Sequence, residues 1–341
     1  MTMLRSDAAR RAAREDGGTL LVHTWSEQDG LRRFADDEAL RAVEAAVGDP
    51  SVRVWVDLED VPHPTLERVG TLLGIHELVI EDMTKRNQRA KIEHTDATMH
   101  IVLYALSYER RLHAWEVDLV VGTRFLLSSH PPDWRPIETV DLDRRGVEHY
   151  LAGGIDYLLY AIMDPLVDGY FPVMDRFSDE IDRIEDEVVR DPRKPVLERL
   201  FRVRRELLRI RHTVSPEREI LNQLTNRENP LIAPERVVYF RDIYDHLIRI
   251  TDDLDTHREL ISGALEAYLS TINNGLSEVM KKLTAVTAVL AGAGAVAGIF
   301  GMSEAGAALD LREGLGFWII AGLVLAVGSG VFAYFRRIGW I

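Results

Sequence analysis

The side chains best placed for chemistry recur at one spacing near the C-terminal end. Alternating steps of four and three from Glu266 give Ser270, Asn273, Ser277, Met280, Thr284, Thr287, Ala291, Gly294, Gly298 and Gly301. Each is polar, small or flexible, and this period keeps them all on one helix face. Inside a bilayer such a face meets protein or water rather than lipid. Several copies around an axis would form a narrow, mostly uncharged channel, opened at its cytoplasmic side by a ring of Glu266. A close-packed seam between membrane helices needs the same small residues, so both readings stand on the stripe alone. Other chemistries fare worse. The chain has no cysteine, hence no disulfide, thiolate ligand or cysteine nucleophile. It has no His-Glu-x-x-His motif, and His94 and His100, on an expected strand pair, read as surface histidines rather than ligands. Gly292-Ala-Gly294-Ala-Val-Ala-Gly298 looks like a dinucleotide loop, but a helix rather than a strand is expected before it. The net charge of −14 argues against nucleic-acid binding, which needs a basic face, and suits a handler of cations.

Two apolar stretches would hold the stripe in place. Leu283 to Phe300 is 18 residues without a charge, and Leu315 to Phe335 is 21. About 20 helical residues cross a bilayer core. Lys281 and Lys282 precede the first stretch, Arg336 and Arg337 follow the second, and residues 301–314 between them carry three acids and one arginine. The positive-inside rule then puts both termini in the cytoplasm. Arg5, Arg10, Arg11 and Arg14 have no apolar run behind them, so the N-terminus reads as a frayed tail rather than a secretory signal.

The rest divides by pattern. Asp36 to Val47 and Pro64 to Gly74 read as helices, and Val52 to Asp57 as a strand. Met99 to Ser107 and Glu116 to Leu127 hold two or three more strands, with Leu119 to Leu127 a hairpin; Pro131, Pro132 and Pro136 end this α/β region. Long helices follow. Ile155 to Val189 reads as one helix, acidic in its second half, and Val196 to Leu224 as its arginine-rich return. The acids fit solvated faces with i to i+4 pairs at least as well as a cation role. A third helix starts near Pro234. With no proline after residue 234 it can run to Phe300, about 65 residues or roughly 95 Å, and such a helix needs neighbours of its own kind.

Several segments in order resemble the CorA magnesium/cobalt transporters: Gly74-Ile-His76, Ile80-Glu-Asp82, Asp156-Tyr-Leu-Leu-Tyr160, Tyr239-Phe-Arg-Asp-Ile-Tyr-Asp-His246, Tyr268-Leu-Ser, Glu278-Val-Met-Lys-Lys-Leu-Thr284 and Gly298-Ile-Phe-Gly-Met302. Together they cover most of residues 50–341. The resemblance implies an α+β membrane protein, a homopentameric divalent-cation channel of the inner cell membrane rather than an enzyme. Its expected parts are a flexible tail (1–19), a cytoplasmic α/β domain (20–137), long cytoplasmic helices including a stalk (145–282), a pore-lining transmembrane helix (283–300), an outer loop (301–314), a second transmembrane helix (315–335) and a cytoplasmic end (336–341). The implied pore is lined by Glu266, Asn273, Ser277, Met280, Leu283, Thr287, Ala291, Gly294 and Gly298, with Met280 and Leu283 as a hydrophobic gate. Gly301, Met302 and Ser303 form the implied selectivity mouth. Glu81, Asp82 and Asp242 match positions where a regulatory cation binds between neighbouring subunits and favours closure. Mg2+ is the first expectation, as cargo and regulator, with no resident cofactor; Co2+ is the second. Ser303 stands where the family has asparagine, Ser277 where a pore asparagine is common, and Ala291-Gly292 where a bulky residue and a proline are usual. The alternatives are proton-coupled zinc transport similar to ZntB, and a non-conducting membrane-anchored sensor.

Overall fold

The computed structural model describes residues 18–95, 97–109, 111–135, 146–192, 194–301 and 315–340. Most of the expected tail, Met302 and Ser303 of the mouth, and the rest of the outer loop lie outside these residues. Chain contacts divide the molecule into two units, Met1–Arg183 with Arg199–Ser262, and Ile184–Glu198 with Gly263–Ile341.

The first unit is built on a seven-stranded sheet in the order β2-β1-β3-β7-β6-β5-β4. The strands are β1 (Thr19–Ser26), β2 (Gly30–Ala35), β3 (Arg53–Glu59), β4 (Lys91–His94), β5 (Thr98–Tyr108), β6 (Leu112–Gly122) and β7 (Phe125–His130). β3 and β7 run parallel at the centre, and every other neighbouring pair is antiparallel. Three helices cover one face: α1 (Asp36–Gly48), α2 (His63–Leu72) and α3 (Glu77–Lys85). α1 buries Ala39, Val43 and Ala46, spaced for one helix stripe, against Val22, Val56 and Leu127 of the sheet. α4 (Gly146–Gly153) lies against β1 and β3, and α5 (Ile155–Asp168) against β5, β6 and β7, which makes a three-layer domain. With helices on both sides, β5 is buried along most of its length rather than on alternate residues. That corrects one expectation: His100 is 1% exposed, with Nε2 2.8 Å from Asp118 Oδ1. His94 is exposed, as expected.

Ile155 to Val189 is not one helix. α5 ends at Asp168 and α6 (Tyr170–Arg190) begins two residues later. Pro172, in the first turn of α6, has no N–H to offer the Asp168 carbonyl four residues back, and its ring crowds that carbonyl. The chain closes α5 at Gly169, whose N–H reaches the Pro165 carbonyl at 3.1 Å. α7 (Lys194–Asn226) returns, and Arg199 Nε meets Glu180 Oε1 at 3.0 Å, one contact of the expected acidic and basic faces. A 3-10 turn at Pro234–Arg236 leads into α8, a single helix of 65 residues from Val237 to Gly301. In the second unit α8 continues and α9 (Leu315–Arg337) is a further apolar helix of 23 residues.

Candidate cation site and channel face

Two helices of the first unit each carry ligand-type residues one turn apart. α5 presents Asp164 and Asp168; α8 presents Asp242 and His246. Spacing of i to i+4 puts each pair on one helix surface. The two helices meet where Tyr239 packs on Tyr157 and Tyr160 at centroid distances of 5.4 and 5.0 Å. This contact brings ligand atoms of Asp164, Asp168 and His246 within 4.8 Å of one another. His246 Nδ1 lies 2.9 Å from Asp168 Oδ1, yet it makes no hydrogen bond of acceptable alignment, and Asp164 Oδ1 is buried without a partner. Asp164 Oδ2 accepts from the Tyr160 hydroxyl at 3.3 Å, but Asp164 Oδ1 and His246 Nδ1 converge with Asp168 without an aligned donor, as a cation site requires. Burial raises the Asp164 carboxyl to about 6, the charge of Asp168 adds to the shift, and Asp242 contributes less. A cation would relieve that repulsion. Carboxylate oxygens suit Mg2+, and an imidazole nitrogen adds affinity for Co2+ or Zn2+.

The sequence-derived ligands stand differently. Asp242 belongs to this neighbourhood through its field on Asp164 and Tyr160. Asp82, at the end of α3, is engaged by Lys91 Nζ at 2.7 Å and Gln88 Nε2 at 3.1 Å. Glu81 is exposed and pairs with Lys85 one turn on. Within one chain, then, Asp82 holds a lysine while Asp242 faces other acids. Sequence reasoning missed Asp164, Asp168 and His246. Their two i to i+4 spacings were the available signal.

The expected channel face lies on α8. Glu266, Asn273, Ser277, Met280, Leu283, Thr287, Ala291, Gly294 and Gly298 are all exposed. A Cβ built on Gly294 or Gly298 would meet nothing within 4 Å, and Thr287 Oγ1 turns back to the Leu283 carbonyl at 2.8 Å. Leu269, Ile272, Leu276 and Val279 on the neighbouring face are exposed too, at 54%, 43%, 60% and 60%. Gly301 closes the helix; Met302 and Ser303 lie outside the described residues.

A second buried polar group resembles nucleophile chemistry only in its residue types. Ser128 donates to Asp57 rather than to His130, and Trp55 Nε1 donates to Ser128 at 2.9 Å. His130 lies against acceptors on both nitrogens, Pro131 O at 2.8 Å and Asp57 Oδ1 at 3.1 Å, so it is an imidazolium. Burial, the largest single influence, would lower its pKa; the charge and hydrogen bond of Asp57, the Pro131 carbonyl and the charge of Glu59 together outweigh it and raise the value. This is a cross-link between β3 and β7.

Residues 51–337 match the CorA-like Mg2+ transporter protein family. The chain belongs to the CorA family. It is 34% identical over 301 residues to the cobalt/magnesium transport protein CorA of Thermotoga maritima, covering 86% of this chain and 85% of that one. It is 28% identical over 286 residues to the putative metal ion transporter YfjQ of Bacillus subtilis, covering 84% and 89%. The complete structure of the CorA magnesium transporter from Methanocaldococcus jannaschii superposes with a TM-score of 0.77 at 20% identity, over 94% of this chain and 98% of that one. The fold of this CorA-family chain is thus an N-terminal α/β domain followed by long helices, of which α8 is long and apolar enough to cross a membrane. As a family member it is a divalent-cation transporter.

Proposed function

We propose that this chain forms a homopentameric channel of the inner cell membrane that passes Mg2+ or Co2+, and that a divalent cation on its cytoplasmic unit closes it. The observation that carries the reading is α8. One unbroken helix presents an apolar row and a polar, small-residue row side by side, both exposed in a single chain. Assembly around an axis covers the first row and turns the second toward an aqueous path. The lysines before this path and the arginines after α9 favour a topology with both termini inside. Asp164, Asp168, Asp242 and His246, with Glu81 and Asp82 contributed across a subunit boundary, are the proposed regulatory ligands. Empty, these acids repel one another; filled, they hold neighbours together.

Flux into proteoliposomes with Mg2+, Co2+, Ni2+ and Zn2+, with and without a pH gradient, tests the reading. Mg2+ or Co2+ entry driven by the membrane potential, without need of a pH gradient, is expected. No flux of any ion would turn the protein into a membrane-anchored sensor. Ser303 favours a second reading. A serine hydroxyl is shorter and a weaker acceptor than the amide carbonyl of asparagine. If the mouth serves hydrated Mg2+, Ser303→Asn should raise apparent Mg2+ affinity. If it serves Zn2+ coupled to protons, the same change should impair Zn2+ flux instead. No change in either ion would mean that residue 303 does not set selectivity.

A further inference from the structure

Glu217, on α7, is 0% exposed. No cation acts on it among the described residues. The titratable group in contact with it is the phenol of Tyr170 on α6; Tyr104 of β5 meets it through its backbone N–H, and its phenol feels the charge of Glu217 only weakly. The Tyr104 phenol itself turns the other way, to the Gln88 carbonyl and to Glu116 Oε2 at 3.3 Å, and it feels Asp118 more weakly.

The reason for a carboxyl here lies in the sheet. β4 pairs with β5 only from Met99 to Val102, so beyond Val102 that edge of β5 has no strand beside it. Tyr104 directs its backbone N–H and C=O to this open edge. Glu217 Oε1 accepts from the Tyr104 N–H at 2.8 Å, and the Tyr170 hydroxyl donates to the Tyr104 carbonyl. Two side chains thus replace the missing strand. They also touch each other, with Glu217 Oε2 2.8 Å from Tyr170 Oη.

Counting protons decides the state of the group. There are three links, and the two tyrosines supply one N–H and one O–H. A phenol has a single proton. If it goes to a carboxylate, the Tyr104 carbonyl is left without a partner. If it goes to the carbonyl, Tyr170 Oη and Glu217 Oε2 face each other with lone pairs at hydrogen-bond distance. A proton on Glu217 closes the count, running from Oε2 to Tyr170 Oη while the phenol serves the carbonyl. We infer that Glu217 is held as the neutral acid in the folded protein, and that its proton latches α6 and α7 to the open edge of β5 and is lost as pH rises. Burial agrees in direction: it pushes this carboxyl up to about 8, and the hydrogen bonds from Tyr170 and Tyr104 only partly oppose it.

The sign follows. The group's folded value lies above its unfolded one, so the folded chain keeps a proton that the unfolded chain releases between about 4.5 and about 8. The latch's contribution to stability is full below that window and is lost as pH rises through about 8. Across it the folding constant falls by about tenfold per pH unit. Glu116, raised to about 7 mainly by burial, and His130, raised by Asp57, add slopes of the same sign. A variant comparison isolates Glu217 from both.

The experiment compares the full-length wild type with Glu217→Gln in detergent micelles. The carboxamide offers an oxygen to Tyr104 N–H and an N–H to Tyr170 Oη, so it copies the neutral acid and cannot ionise. Hydrogen exchange in the β5 segment, compared at matched pH, reads the latch. The ratio of protection in the variant to that in wild type should rise by up to about a hundredfold between about pH 6 and about pH 8. The infrared difference spectrum at the lower pH should show a protonated-carboxyl carbonyl band in wild type that the variant lacks. A constant protection ratio across the range, or no such band, overturns the inference. Should Glu217→Gln fail to fold, Tyr170→Phe keeps the acid and removes its acceptor. That band should then shift in frequency, and an unshifted spectrum counts against the latch.

Discussion

Asp164 and His246 differ in donor type, and that difference separates the ions. Mg2+ takes oxygen ligands almost exclusively, whereas Co2+ and Zn2+ gain from imidazole. Asp164→Asn should therefore weaken Mg2+ protection of the first unit from protease by about tenfold, since interactions with a charged group are worth about 1.5 kcal/mol or more. His246→Ala should weaken Co2+ protection more than Mg2+ protection. Unchanged Mg2+ protection in Asp164→Asn would remove that residue from the site. The carboxyl must ionise to bind, and it titrates at about 6. Protection should thus fade as pH drops through about 6, by up to about tenfold per unit. The Asp57–His130 pair runs the opposite way. Its contribution to stability is full below about 6.5, the ordinary histidine value, and is lost as pH rises through the raised folded value. Asp57→Ala removes the acceptor that keeps buried His130 charged, so the ring sheds its proton and its hydrogen bond is lost; this should cost about 1–3 kcal/mol, read as a lowered melting temperature that is most marked below about pH 6.5. The sequence showed the spacing within each ligand pair, Asp164 with Asp168 and Asp242 with His246. It could not show that the pairs meet, because that depends on Tyr239 docking against Tyr157 and Tyr160 from a distant helix.

Among the elements, the β6–β7 turn is the tightest joint in the sheet. A Cβ on Gly122 would sit 2.2 Å from the Phe125 ring, and Val121 pairs with Leu126 just inside the turn. Gly122→Ala must push the ring out of the core or open the hairpin, at about 1–3 kcal/mol. Thermal unfolding followed by tryptophan fluorescence checks this, and an unchanged midpoint would mean that the ring moves freely. The strongly periodic elements were legible: α1, α2, β3, β5 and the whole of α8 follow from apolar spacing and the absence of proline. α3 was not read as a helix because its start carries none of the usual capping residues. His76 serves instead, its ring accepting from Leu78 N–H at 3.2 Å. The α5–α6 break was missed for a different reason. Gly169 stays in right-handed helical geometry, with φ −59° and ψ −13°, so periodicity continues across the break. β1 and β2 pair as Leu21↔Ala35 to Ser26↔Gly30. β2, half-buried at most, carries two adjacent arginines that mask its alternation.

At the scale of the whole molecule, the exposed apolar rows of α8 set the expectation. Leu276, Val279, Met280, Leu283, Val286 and Leu290 are each more than half exposed in one chain. Lipid can cover Val286 and Leu290, while Met280 and Leu283 belong to the expected channel face. Leu276 and Val279 precede Lys281 and Lys282, so they need protein. Native mass spectrometry in mild detergent should show a pentamer as the dominant species, and a stable monomer would sink the channel assignment. Leu276→Asp should shift the distribution toward smaller species, since it places a charge in the expected seam. The sheet adds a constraint of another kind. β3 has β1 on one edge and parallel β7 on the other, and Asp57 must wait for Ser128, 71 positions later. At about 5–20 residues per second the ribosome needs roughly 4–14 s to deliver that partner. Through that interval the nascent chain carries a strand of Val54, Trp55, Val56 and Leu58 with one side unpaired. Synthesis of this protein therefore contains a waiting period in which a chaperone has something definite to hold, and a translational pause placed between β3 and β7 would lengthen it.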